Sequence, residues 1–206
     1  MSTAAPLLGD PLPVELMNTV WTDRDGVHDA LDDPGGAAEW LRAIAGHTDW
    51  PDGDRESMAM SDSGPLAGDL RRLRNALRRL GAEATADPRP AEPADVPDLR
   101  AAVNDVNAAA AAYPSWSALT WPANAAPTRE VHAAAPGSNA VVSAIAEQAI
   151  ALFGTGERNK LRACLAPGCT LYFVKNHPRR EWCSAACGNR ARVARHYRRR
   201  HLYNTG

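Results

Sequence analysis

No apolar run in this 206-residue sequence approaches the roughly 18–20 residues that a bilayer-spanning helix needs. The opening residues, MSTAAPLLGD, lack the basic start and apolar core of an export signal. Both absences point to a protein of the cytoplasm and away from a membrane. There is no Walker-type phosphate loop, no Gly-rich dinucleotide turn, no internal repeat and no heptad run. Lysine is almost missing: only Lys160 and Lys175 occur, so arginine carries the positive charge. Cysteine is equally sparse. There are four, and all lie between positions 164 and 187. Two disulfides would use them up, but tight clustering in a cytosolic-looking chain favours a metal.

The formal net charge of −1 hides a strong division. Residues 158–206 contain 12 Arg or Lys and one acidic residue, Glu181, for a net of +11. Residues 1–157 hold 11 basic and 23 acidic residues, a net of −12. An acidic body carrying a polyanion-binding end has this distribution; a solubilising basic tail is the plainer reading. The length suits one sizeable domain plus a small module. The expected division is therefore 1–157 and 158–206.

Apolar spacing predicts helices through the body. Val14, Met17, Val20 and Trp21 suit a short one. Asp33-Pro34 reads as an N-cap and first helical residue before Ala37, Trp40, Leu41 and Ile44. Leu66, Leu70, Leu73, Leu77 and Leu80 place one apolar face on a helix over 65–80. Its arginines, 71, 72, 74, 78 and 79, are read as a solvated face. Leu99, Val103, Val106 and Ala110 mark another helix, and Val142, Ile145, Ala149 and Leu152 a further one with Ser138 as cap. Residues 46–64 and 81–97 read as polar or Pro-rich loops, and DRDGVHDALDD as a polar stretch. Trp116, Leu119 and Trp121, followed by TREVHAAA, predict a β-hairpin or small sheet. The expected fold is α+β: a mainly helical body with a small hairpin or sheet, plus a C-terminal four-cysteine module.

The module is where the chemistry concentrates. Cys164 and Cys169 bracket Leu-Ala-Pro-Gly, Cys183 and Cys187 bracket Ser-Ala-Ala, and thirteen residues separate the pairs. Two close pairs joined by a loop match a closed tetrahedral site. Gly168 gives backbone freedom just before its ligand. Cys183 and Cys187 share a face if a helix begins near Ser184. Four soft thiolates suit one structural zinc ion and leave no position for water; an iron–sulfur cluster is the chemical alternative. Leu171, Tyr172, Phe173 and Trp182 are the expected mini-core, with TLYFV as a strand. His177, His196 and His201 are spare ligand candidates, read instead as phosphate contacts, hydrogen-bond donors or surface residues.

The run CGNRARVARHYRRR then predicts a cationic helix. Val193 and Tyr197, four apart, are expected to anchor it to the mini-core. The candidate DNA contacts are Arg190, Arg192, Arg195, His196, Arg198, Arg199 and Arg200. Arg190 is open between DNA and an internal brace to the acidic body. Asn189 is expected to hold the Cys187 turn, with base recognition as the alternative.

These residues carry a resemblance. Trp182 to Arg192 reads W-C-S-x-x-C-G-N-R-x-R, with a first cysteine pair ahead of it. This is similar to the CGNR zinc-finger family. Upstream, VELMNTV (14–20), DDPGGAAEWLRA, LRRLRNALRRL, AIAEQAIALF and NKLRAC resemble the ABATE domain that precedes such fingers. The resemblance implies a stress-induced, DNA-binding transcription regulator that is not an enzyme.

A ligand-sensing site in the body would draw on Asn18, Trp21, Arg74 and Trp116, with Asp23, His28, Trp40, Trp121 and His132 as further lining candidates. Local capping competes with that role at Asn18, and a surface salt bridge at Arg74. No nucleophile–base pair or open metal site can be assembled from spacing. DNA is the expected partner, with a small-molecule effector and a homodimer as further expectations. The alternatives are a protein- or RNA-interaction module, and a ligand-binding protein or enzyme with a purely structural finger.

Overall fold

A computed structural model describes residues 4–45, 63–89, 98–113, 115–133 and 138–204. Of the loops expected over 46–64 and 81–97, residues 46–62 and 90–97 lie outside the described residues, whereas 63–64 and 81–85 are helical. Among the described residues, six α-helices and three two-stranded antiparallel sheets make a mainly helical body with small hairpins and a C-terminal cysteine cluster.

Helix α1 (Leu12–Met17) is short. The chain turns at Asn18 and runs into strand β1 (Val20–Thr22), which pairs with β2 (Val27–Asp29). The helix expected through Val20 and Trp21 therefore stops earlier, and the polar stretch after it holds half of a hairpin. Asp25-Gly26 at the turn, with Gly26 at φ +128°, was its sequence signal. Helix α2 (Pro34–Ala45) starts as its sequence implies: Gly36 donates its N–H to the Asp33 carboxylate at 2.9 Å.

Helix α3 (Ser63–Thr85) extends past both predicted ends. Leu66, Leu70, Leu73 and Leu77 are buried, as the spacing demands. Arg74 and Arg78 are buried as well, at 2% and 7% exposure, which corrects the expectation of a solvated arginine face. Helix α4 (Leu99–Ala112) is capped by Asp98, which accepts from the Ala101 N–H at 2.7 Å. Its buried stripe is Ala102, Val106 and Ala110; Leu99 and Val103 are exposed. This i, i+4 row of small residues seats α4 against its neighbours. Strands β3 (Ser115–Thr120) and β4 (Thr128–Ala133) form the expected hairpin. Helix α5 (Ser138–Gly154) buries Val141, Val142, Ile145, Ala149 and Leu152. The Ser138 side chain lies outside the described residues.

A short 3-10 turn (Gly156–Lys160) leads into β5 (Leu161–Ala163), which pairs with β6 (Tyr172–Val174). Helix α6 (Ala185–Asn204) ends the described chain. All three β6 residues are buried, because the strand lies between two cores. Alternation sends Tyr172 and Val174 into the body core and Phe173 into a second cluster with Cys164, Cys169, Cys183, Cys187 and Leu171. Trp21 and Ala30 join that second cluster from the upstream chain. The expected mini-core is thus divided, with Tyr172 belonging to the body.

Candidate metal centre and the seam that holds it

The ligand atoms of Cys164, Cys169, Cys183 and Cys187 all lie within 4.8 Å of one another, and all four residues are buried. The first pair sits on a tight turn. Gly168 adopts φ +70°, and the Cys169 N–H donates to the Ala166 carbonyl at 2.9 Å. The Cys164 N–H donates to the Leu171 carbonyl at 2.9 Å, which closes the loop back onto the chain leading into β6. The second pair opens α6. Ser184 caps this helix: its hydroxyl accepts from the Cys187 N–H at 3.2 Å. Capping turns Cys187 inward, four residues from Cys183, with sulfurs 3.4 Å apart. Cys169 and Cys183 sulfurs are 3.8 Å apart. Such a set can coordinate a metal ion. Hydrogen bonding with the Cys169 and Cys183 thiols holds the Cys164 pKa down at about 2. The bond to Cys164 pushes Cys169 up to about 12 and raises Cys183 as well.

Arg190 donates through Nη2 to Cys187 Sγ at 2.9 Å. Its brace is therefore to a sulfur of the cluster, and that bond raises the guanidinium pKa. Asn189 is exposed and accepts from Arg192; the Cys187 turn that it was expected to hold is held by Ser184. Gly188 meets a packing demand. A Cβ there would come within 3.2 Å of Trp182 Cδ1, tighter than ordinary contact. Val193 and Tyr197 are 54% and 60% exposed, so they do not anchor the helix. Cys187, Gly188 and Ala191 form its inward face instead. Arg192, Arg195, His196 and Arg198 are exposed on α6; the side chains of Arg199 and Arg200 lie outside the described residues.

Three polar clamps tie this module to the body. Asn18 donates Nδ2 to the Tyr172 carbonyl at 2.9 Å and accepts the Tyr172 N–H at 2.8 Å, satisfying both backbone groups of a buried residue. Asp10 accepts both guanidinium nitrogens of Arg180 at 2.9 Å and also the Val174 N–H at 3.1 Å. Arg89 forms the third clamp. Its Nη1 donates to the carbonyls of Cys164 (3.3 Å), Cys169 (3.0 Å) and Leu171 (3.3 Å), while its Nη2 pairs with Asp87 at 2.5 Å. Tyr172 Oη donates to the same carboxylate at 2.7 Å. Burial works against the Asp87 charge, but the bonds from Arg89 and Tyr172 outweigh it and hold the pKa below the usual value. Burial and the Asp87 charge push Tyr172 up to about 12. Arg78 donates to the carbonyls of Met17 (2.9 Å) and Thr170 (3.4 Å), and burial lowers its pKa.

The structure separates the four residues expected to contact an effector. Asn18 is spent on Tyr172. Arg74 donates to Asp29 at 2.5 Å behind the β1–β2 hairpin. Trp21 stacks on His28 with ring centroids 5.0 Å apart and packs into the cysteine cluster. Trp116 is 56% exposed on the other hairpin, stacked on His132. None of the four lines either described cavity. Spacing alone missed Asp10, Arg78, Asp87, Arg89 and Arg180. The arginines offered no signal because this sequence uses arginine almost everywhere, and their partners are distant in the chain.

Two family models cover nearly the whole sequence. The CGNR zinc finger matches residues 160–200. ABATE, described as "Putative stress-induced transcription regulator", matches residues 10–156. Neither description names an enzyme. No curated protein matches the chain. Among the described residues, no helix is long and apolar enough to cross a membrane. With its N-terminal match spanning most of the sequence and the cysteine module following directly, the chain belongs to the ABATE family and carries a CGNR zinc finger behind that domain.

Proposed function

We propose that this protein is a DNA-binding transcription regulator whose finger holds one structural zinc ion on Cys164, Cys169, Cys183 and Cys187 and offers α6 to DNA. The observation that carries this reading is the exposed cationic face of α6, which leaves directly from the buried cysteine cluster. Arg192, Arg195, His196 and Arg198 lie on it. A cationic helix anchored at its first turn can enter a major groove or track phosphates.

The donor set supports zinc. Metal–sulfur bonds of about 2.3 Å in a tetrahedron correspond to sulfur–sulfur edges of about 3.8 Å; the Cys183–Cys187 and Cys169–Cys183 sulfurs lie 3.4 and 3.8 Å apart, and all four lie within 4.8 Å of one another. Four thiolates around one ion leave no open coordination position, so the ion would hold structure rather than activate water. Arg190 on Cys187 would offset part of the negative charge of a four-thiolate site.

A single short finger covers few base pairs, so self-association would enlarge the contact. Leu119 and Trp121, 71% and 70% exposed with Trp116 on the β3–β4 hairpin, favour a homodimer. The body would respond to a small-molecule effector, and the protein would act in the cytoplasm. The domain division at 157/158 is part of the proposal, with the finger as the DNA-facing unit. The test is selection of genomic DNA fragments by the zinc-loaded protein. A shared sequence among the recovered fragments is expected. Even recovery of all fragments, abolished by moderate salt, would reduce α6 to a generic polyanion binder.

A further inference from the structure

The seam between body and finger encloses a cleft of about 600 Å³. One wall is the first cysteine knuckle, Leu165 to Thr170; the facing wall comes from α3 and the segment after it. Buried Arg78 and Tyr172 form its deep end, with Arg89 beside them. Val27 and Leu165, 59% and 54% exposed, form an apolar rim. The charged side chains among the described lining residues are three guanidiniums (Arg78, Arg79 and Arg89) and the Asp87 carboxylate, and Cys169, one of the proposed zinc ligands, lies in the knuckle wall. That carboxylate is already engaged by Arg89 at 2.5 Å and by the Tyr172 hydroxyl at 2.7 Å. Among the described residues, Arg79 pairs with Glu83, four residues along the same helix at 3.0 Å and 58% exposed. An exposed helical pair of this kind is weak and easily exchanged.

A cleft with guanidinium donors inside and apolar groups at its mouth is complementary to an amphipathic anion. We infer that it binds a small organic acid, whose carboxylate meets Arg79 over the Arg78–Arg89 end and whose compact apolar body lies against Val27 and Leu165. This deepens the sensing part of the proposed function and rests on it. The site adjoins the metal module directly, since Arg89 also holds the Cys164, Cys169 and Leu171 carbonyls. An occupant touching both walls binds only when the finger is docked, and so stabilises the docked state.

Calorimetric titration of the full-length, zinc-loaded protein tests this with benzoate and 3-phenylpropionate as carboxylates, benzyl alcohol as a neutral counterpart and inorganic phosphate as an anion without an apolar body. At least one carboxylate is expected to saturate a single site with Kd of roughly 1 mM or tighter, with the alcohol and phosphate at least about tenfold weaker. Arg79→Gln and Leu165→Glu should each weaken that binding about tenfold at unchanged zinc content, and Arg100→Gln, outside the cleft, should not. Absence of saturable carboxylate binding, equal binding of benzyl alcohol, or tighter binding of phosphate would overturn the inference. So would full affinity in both cleft variants. DNA does not enter this measurement, so its outcome and that of the fragment selection stand separately.

Discussion

Asn18 illustrates how one side chain can serve two parts of a chain 154 residues apart. Its amide satisfies both backbone groups of Tyr172, where β6 crosses from the finger into the body core. Asn18→Ala leaves a buried N–H and a buried carbonyl without partners, at about 1–3 kcal/mol each when unsatisfied. Urea denaturation should show a total loss of about 2–6 kcal/mol; a loss below about 1 kcal/mol would mean that water takes over the role. Asp87 makes a pH-dependent contribution. Its folded pKa is lowered, so its stabilising effect is complete above the ordinary carboxylate value near 3.9 and is lost as pH falls through the lower folded value. Asp87→Asn should therefore lower stability at neutral pH, and the difference from the parent should shrink on acidification below about pH 4. A gap that stays constant to low pH would assign the effect to packing.

At the scale of the element, α6 separates its duties by face. The inward side, Cys187, Gly188 and Ala191, seats the helix, and the outward side carries charge. Arg190 is committed to the cluster through Cys187, whereas Arg192 and Arg195 are exposed and Arg192 bonds to Asn189 on the same helix. If α6 contacts phosphates, the double change Arg192→Ala and Arg195→Ala should weaken DNA binding and flatten the slope of log K against log salt by up to about 2, while zinc content is preserved. An unaltered slope would place the contact surface elsewhere. Strand β6 is the second element whose faces matter. Its period of two assigns Tyr172 and Val174 to one core and Phe173 to the other, so a one-residue slip would exchange the two sets.

Across the whole molecule, the finger and the body are mechanically joined. Leu161, Tyr172 and Val174 complete the body core, while Trp21 and Ala30 complete the cysteine cluster. Loss of the metal is therefore expected to reach beyond the finger. Cys187→Ser, or chelation of the proposed zinc, should lower the thermal midpoint of the entire chain and alter the emission of Trp21, which packs against the cluster. Trp21→Phe supplies the control that assigns the signal. A body transition unaffected by chelation would show that the clamps of Asn18, Asp10 and Arg89 hold without the ion.

Local pattern and chemistry were enough to determine much of this protein. The four cysteines identified themselves by type and spacing, because metal knuckles form from neighbours in the chain. The α3 leucine stripe, the Asp33 cap and the β3–β4 hairpin were also legible, since each rests on residues a few positions apart. Only the tertiary structure decided the rest. Arg74 and Arg78 look like surface arginines until Asp29 and the carbonyls of Met17 and Thr170 are brought to them. Val193 and Tyr197 have an anchor's spacing, yet the turn at Cys187 points them outward. Asp87 and Arg89 sit in a stretch that composition marks as loop, and become the hinge pin of the seam through contacts about 75–85 residues away. Periodicity records which face of an element is apolar; whether a charged residue finds a buried partner depends on chain segments that meet only in the fold.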